Sequence, residues 1–318
     1  MPGVSPAIRA AILESRPSTR DAILRWRRGA EYRAAMAAFA DCPPDDPGPA
    51  TAQAERLLAD DAWLGALLGP MLDALAADPF FEPPFKPSRD ALRTGAILFD
   101  CPAASISASV TSAAAMAAMA PPTSLIVSGR VQVMRTLGAG GARLRRWRAE
   151  PLTPGFSAAS ARRCEALGPR LLADGETHRC DGRVEAQLLE GAARDVVSVV
   201  ATIRAGAAPL MREYAIADRR LLRVVSADDR ASRTEMLLAF LRLSGRADAA
   251  CQFEAVTRDP AFHLRWAAMR EWLALDARAA LPRLGEMAVE DPNAEVRAAA
   301  GLTLAAARRR VEEARCRG

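Results

Sequence analysis

The stretch DPNAEVRAAAGLTLAAA, Asp291 to Ala307, decides how the end of this chain is read. Pro just after Asp marks a helix start: at the first helical position its missing N–H has no partner to lose, and the Asp carboxylate can cap. The alanines let a second helix approach closely, and Arg297 is the one cation of the stretch. The pattern recurs upstream. Arg265 and Arg233 precede Arg297 at successive intervals of 32 residues; Asp259-Pro260 precedes Asp291-Pro292, Ala268 precedes Ala300, and Leu241 precedes Leu273. Such a period over three copies predicts a helical solenoid, in which a helix pair buries its apolar face only against its neighbours. The repeated Arg is then expected to hydrogen-bond between repeats and not to contact a ligand.

Residues 227 to 318 resemble HEAT repeats, especially the short phycobilisome-lyase type with its Asp-Pro start and Val-Arg-x-Ala-Ala core. DPNAEVRAAAGLTLAAA carries the resemblance best and DPAFHLRWAAMREWLAL more loosely. ASRTEMLLAFLRLSG keeps little beyond Arg233 and its apolar spacing. The resemblance implies a surface for another macromolecule and no particular chemistry.

The middle of the chain has a different period. ASISASVTS puts Ile106, Ala108 and Val110 on one side and Ser105, Ser107, Ser109 and Thr111 on the other, the alternation of a strand. SLIVSGRVQVMRTL reads as two strands about Ser128-Gly129, and GAGG as a turn into ARLRRWRAE. THRCDGRVEAQLL reads as a hairpin turning at Asp181-Gly182, and RDVVSVVATIRAG and REYAIADRRLLRVV supply three further strands. Roughly nine or ten short strands between Ala96 and Val225 predict a sandwich or barrel. This spacing, with HRCDGRVEAQLLEG feeding a Val-rich strand, resembles a cupin-type jelly roll.

Residues 5 to 78 are helical in pattern, interrupted by CPPDDPGP, which reads as a helix terminator and linker. The three Phe of DPFFEPPFKP suggest a hinge packed on a neighbouring domain. The expected fold is α+β and multidomain: an N-terminal helical region (1–90), an antiparallel β-sandwich or jelly-roll-like, cupin-like domain (91–226), and a C-terminal α-solenoid of about three HEAT-like repeats (227–318).

Composition narrows the class. Half the 318 residues are hydrophobic and a quarter charged, which suits a globular chain with more than one core. Arg and Ala abound while Lys86 is the one lysine and Asn293 the one asparagine, a coding bias that weakens any meaning of the Arg content. The net charge of +5, spread over this length, permits an acidic partner without demanding one. Six scattered cysteines with no CxxC pair point to free thiols in a reducing compartment. Arg9 and Glu14 stand where a secretory signal needs apolar residues, and AWLGALLGPMLDALAA falls short of the ~20 residues that cross a bilayer. The expected location is cytoplasmic, with no membrane association.

The chemistry-bearing residues are few. A catalytic cupin holds its metal with two or three His and a Glu, the first pair spaced HxH. This chain has only His178 and His263, in different predicted domains and without such spacing, so the resemblance implies a metal-free member. No metal and no cofactor are expected. LGAGGARLRR lacks the helix and the Lys-Ser/Thr of a phosphate loop, and Ser128 lacks a GxSxG elbow. The catalytic candidates are Cys180, flanked by Arg179 and Arg183, and His178 beside it; Cys101 ranks below them. For partner binding, Arg143, Arg145, Arg146 and Arg148 surround Trp147, with Arg143, Arg145 and Trp147 on one strand face. Trp266 and Trp272 lie on different faces of one repeat helix, so Trp266 is a further candidate.

The absence of a catalytic constellation favours a non-catalytic interaction or adaptor protein that binds another protein through the β-domain and solenoid. The alternative is a small-molecule-binding or enzymatic metal-free cupin-like domain whose polar Ser105/Ser107/Ser109 face lines a cavity. Nucleic-acid binding through the Arg-rich runs ranks third, since the charge is mixed.

Overall fold

Four helices come first: α1 (Pro6–Arg27), α2 (Ala30–Ala40), α3 (Pro47–Ala59) and α4 (Asp61–Ala77). The computed structural model describes residues 5–153, 156–227 and 229–317. Ser5 accepts from the Ile8 N–H to cap α1, and Asp60 accepts from Ala62 and Trp63 to cap α4. The expected linker contains a helix start instead: Asp46 caps Gly48 and Pro47 takes the first position of α3. Trp26 Nε1 donates to the Leu67 carbonyl at 2.7 Å, tying α1 to α4 inside the core.

The strands follow: β1 (Lys86–Arg89), β2 (Arg93–Asp100), β3 (Ala104–Thr111), then the short helix α5 (Ala113–Ala118). Next are β4 (Ser124–Val127), β5 (Val131–Gly138), β6 (Arg143–Arg148), β7 (Glu165–Leu171), β8 (Glu176–Asp181) and β9 (Glu185–Glu190). β10 (Val196–Ile203), β11 (Leu210–Ala215) and β12 (Leu221–Ser226) complete them. They form a six-stranded sheet ordered β1-β2-β3-β10-β5-β8 and two three-stranded sheets, β7-β6-β9 and β12-β11-β4.

If β3 to β10 are numbered one to eight, the large sheet contains the run one-eight-three-six and the second sheet seven-four-five. That is a double Greek-key order, apart from strand two, β4, which pairs with β11. The hairpin read at Asp181-Gly182 is not one, since β8 pairs with β5 and β9 with β6, and the turns at Ser128-Gly129 and GAGG likewise join strands of different sheets. Gly129, Gly140 and Gly141 all have positive φ, and a Cβ on Gly140 would lie 2.1 Å from the Arg194 carbonyl oxygen. Only glycine fits that corner.

The chain divides into two compact units that do not follow boundaries at residues 90 and 226. The first holds Met1–Pro122, Arg130–Arg148 and Ala166–Ala207. Its core joins helix residues Ala35, Phe39, Ala54 and Leu67 to Ile106, Val133, Val199 and Ala201 of the large sheet. The helices are thus one layer of a helix-on-sheet core, because the Ile106 side of the sheet would otherwise stay apolar and wet. The Pro-rich segment belongs to that core too, with Phe81 buried and Phe85 set edge-on to Trp26.

The second unit holds Thr123–Gly129, Ala149–Glu165 and Ala208–Gly318. In it the β12-β11-β4 sheet accompanies α6 (Asp229–Leu243), α7 (Ala250–Val256), α8 (Phe262–Leu275), α9 (Ala277–Glu290) and α10 (Ala294–Arg317). Helices α8 and α10 begin 32 residues apart, at Phe262 and Ala294. Equivalent bonds recur at that interval. Asp259 accepts from Ala261 N–H as Asp291 does from Asn293 N–H, and Arg265 donates to the Asp259 carbonyl as Arg297 does to that of Asp291. Pro292 does not open the helix as expected: Asn293 caps α10 by accepting from Glu295 and Val296. The Asp291 carboxylate is used elsewhere, receiving two bonds from Arg265 at 2.6 and 2.8 Å.

Candidate functional site

Alternation sends Ile106, Val133, Val199 and Ala201 of the large sheet toward the helices, so their chain neighbours face the other way. Register aligns Ser105, Ser107 and Ser109 of β3 with Thr202, Val200 and Ser198 of β10, and these with Gln132, Met134 and Thr136 of β5. β8 then adds Glu176, His178 and Cys180 opposite Thr136, Met134 and Gln132. This inner side is therefore polar. Leu144 of β6 and Val196 of β10 share a small core cluster, which places the inner sides of the two sheets toward one another.

His178 is only 7% exposed. Burial lowers its pKa first and the charge of Arg170 next; a loose hydrogen bond with Gln187 raises it, and the charge of Arg146 adds a smaller lowering. The imidazole is consequently neutral at neutral pH. Neither ring nitrogen makes a well-formed hydrogen bond to a described residue, and Gln187 engages the ring only loosely. Thr136, fully buried on the neighbouring strand, also has an Oγ1 with no partner among the described residues. Glu176 is held by Arg170. Cys180 does not suit a nucleophile: burial, then the charges of Glu185 and Asp181, push its thiol up to about 12, so it stays protonated. Sequence adjacency had suggested activating arginines, but an alternating strand puts Arg179 on the opposite side.

The Arg/Trp strand is also differently disposed from an open platform. Trp147 is 2% exposed, with the Arg145 guanidinium 5.0 Å from its ring centroid and Glu190 beside that Arg. Arg148 pairs with Glu185 at 3.0 Å, and Arg146 donates to the Gly168 carbonyl. Arg143 is exposed. The face assignment from alternation agrees with these contacts, but the ring that would stack on a base is covered.

In the second unit Trp272 is buried and Trp266 is half-buried, lining a pocket of about 580 Å³ with Phe156, Phe262, Val225, His263, Glu235 and Arg270. His263, Trp266 and Arg270 share the pocket because positions three and four apart fall on one helix face. Neither Arg270 nor Glu235 was singled out in the sequence. A second pocket of about 620 Å³ has both Asp-Pro pairs on its walls. Among the described residues no group of three His, Cys, Asp or Glu is disposed to hold a metal ion. No helix among them is long and apolar enough to cross a membrane.

These features define an α+β protein with helices before and after antiparallel sheets. No family model matches the chain, and no curated protein matches it in sequence. Solved structures similar to parts of it include one of the DMSP lyases RdDddP and RnDddQII, at 13% identity, over 62% of this chain and 94% of that one, with a TM-score of 0.26. A sugar phosphate isomerase of the cupin superfamily from Silicibacter pomeroyi matches at 8% identity, over 45% and 87%, with a TM-score of 0.25. Hydroxypropylphosphonic acid epoxidase from S. wedmorenis matches at 9%, over 58% and 96%, with 0.24. With scores this low, the functional reading rests on the residues themselves.

Proposed function

We propose that the chain binds a small molecule in the polar interior of its first unit, as a metal-free, cupin-like jelly roll. The observation that carries this is the pair of buried polar side chains, His178 and Thr136, on adjacent strands and the same inner side, neither of which makes a well-formed hydrogen bond to another described residue. Each such group costs about 1–3 kcal/mol, and natural interiors carry few. A ligand's polar group would satisfy both, with Gln187 and Arg146 reaching in from the facing sheet. A neutral imidazole there can accept a proton, which leaves room for acid–base chemistry on the ligand.

The test is a thermal-shift screen of polar metabolites on the full chain. A binder should raise the midpoint of the wild type and shift neither His178→Ala nor Thr136→Val. The shift should persist from pH 8 to pH 6.5 and fade on acidification, because His178 titrates below its ordinary value. A binder that shifts both variants as much as the wild type would sink the reading.

A protein partner is the second reading, and a separate observation favours it. Met236, Leu237, Phe240 and Leu243 of α6 are 62–74% exposed and lie along one side of the helix. With Trp147 covered, nucleic-acid binding has no comparable observation behind it.

A further inference from the structure

The pocket around Trp266 differs from its neighbour in what its charges are doing. In the 620 Å³ pocket every guanidinium is already spent. Arg265 grips Asp291, Arg283 bonds Thr257 and Glu286, and Arg258 pairs with Glu254 and Glu286. In the 580 Å³ pocket Arg270 makes no ion pair or hydrogen bond to any described residue, and neither does the Glu235 carboxylate facing the same space. The obvious acidic neighbour, Glu271, is taken by Arg242. Glu295, the other carboxylate there, is occupied by the Ser157 hydroxyl and the Ala159 N–H. Among the described residues, opposite charges are thus both left without a partner beside the apolar wall of Phe156, Phe262 and Trp266.

The size and lining suit a small organic molecule: such sites span about 300–1,000 Å³ and are mostly apolar with a few placed polar groups. A plain anion attracted to Arg270 would meet repulsion from Glu235, and a plain cation the reverse. A molecule carrying both charges satisfies both residues, and the aromatic wall supplies the area for its apolar part. Arg270 is exposed, so it can grip a carboxylate without being fully desolvated first.

We propose that this pocket binds an apolar zwitterion, an α-amino acid with a large side chain or a molecule of the same charge pattern, with its carboxylate on Arg270 and its ammonium on Glu235. The site is separate from the interior of the first unit, so either can fail without the other. Isothermal titration of the full chain with phenylalanine, 3-phenylpropionate and phenethylamine tests it. Phenylalanine should bind best. Arg270→Ala should weaken phenylalanine by about tenfold or more, the usual worth of a charged hydrogen bond. Glu235→Gln should weaken phenylalanine and leave 3-phenylpropionate unharmed or improved. Both substituted side chains lie outside the core, and each variant's melting point checks that it is folded. Equal affinity of Arg270→Ala and wild type for phenylalanine, tighter binding of the amine or the acid than of the amino acid, or no binding of phenylalanine at millimolar concentration would each overturn the proposal.

Discussion

Arg265 and Asp291 show how one side chain can hold two helical segments together. Both are nearly inaccessible, and the guanidinium bonds both carboxylate oxygens of Asp291, ahead of α10, while donating to the Asp259 and Pro260 carbonyls ahead of its own helix. Such a pair gains little over an apolar equivalent, but removing one partner strands a buried charge. Asp291→Ala is expected to cost about 3–5 kcal/mol in urea unfolding, and a loss below about 1 kcal/mol would show the pair to be dispensable. Burial alone would raise the Asp291 pKa; the Arg265 bonds, the Asn293 N–H and the charges of Arg265 and Arg283 outweigh it and hold the pKa below the ordinary 3.8. The sign follows: the unfolded state binds the proton more readily. This contribution is complete above pH 3.8 and is lost as pH falls below it through the folded value. Asp291→Asn should flatten that acid limb.

Among the elements, β7 went unread because Gly168 and Pro169 interrupt any strand pattern. Its place at one end of the β7-β6-β9 sheet explains why they are tolerated, since an edge position spares the proline a missing donor. β3, β6, β10 and the β11/β12 pair were legible because alternation is a local property. Whether successive strands pair was not, because a turn of glycines serves a hairpin and a sheet-to-sheet corner alike. At the β5/β6 corner, Gly140 has φ of 59° and its α-carbon faces the Arg194 carbonyl. Gly140→Ala should lower stability by about 1–3 kcal/mol, from the left-handed conformation together with the overlap. An unchanged melting point would mean that the corner relaxes freely.

For the whole molecule, the exposed apolar side of α6 belongs to the first of the C-terminal helices. If a protein covers it, the contact is apolar and insensitive to salt. Wild-type chain should then retain that protein from its native cell through a moderate-salt wash, and the double variant Met236→Glu/Phe240→Glu should lose it with an unchanged melting point. Retention by the folded double variant would remove this face from consideration.

What the sequence determined by itself is the succession of helices, strands and helices and the 32-residue interval, since hydrophobic period, caps and breakers act over a few residues. It also determined the split of β3 into a polar Ser side and an apolar Ile side. Tertiary structure decided the rest. Strand partners lie far apart in the chain, as β10 does from β3, so the chain order gives no local clue to the interior that gathers His178, Thr136 and Gln187. Burial turned Cys180 from a candidate nucleophile into a protonated thiol and covered Trp147. Arg270 and Glu235 come to line one pocket only because α6 and α8 bring them beside the same aromatic wall. Charge and reactivity depend on what surrounds a group, and surroundings are made by packing between distant segments.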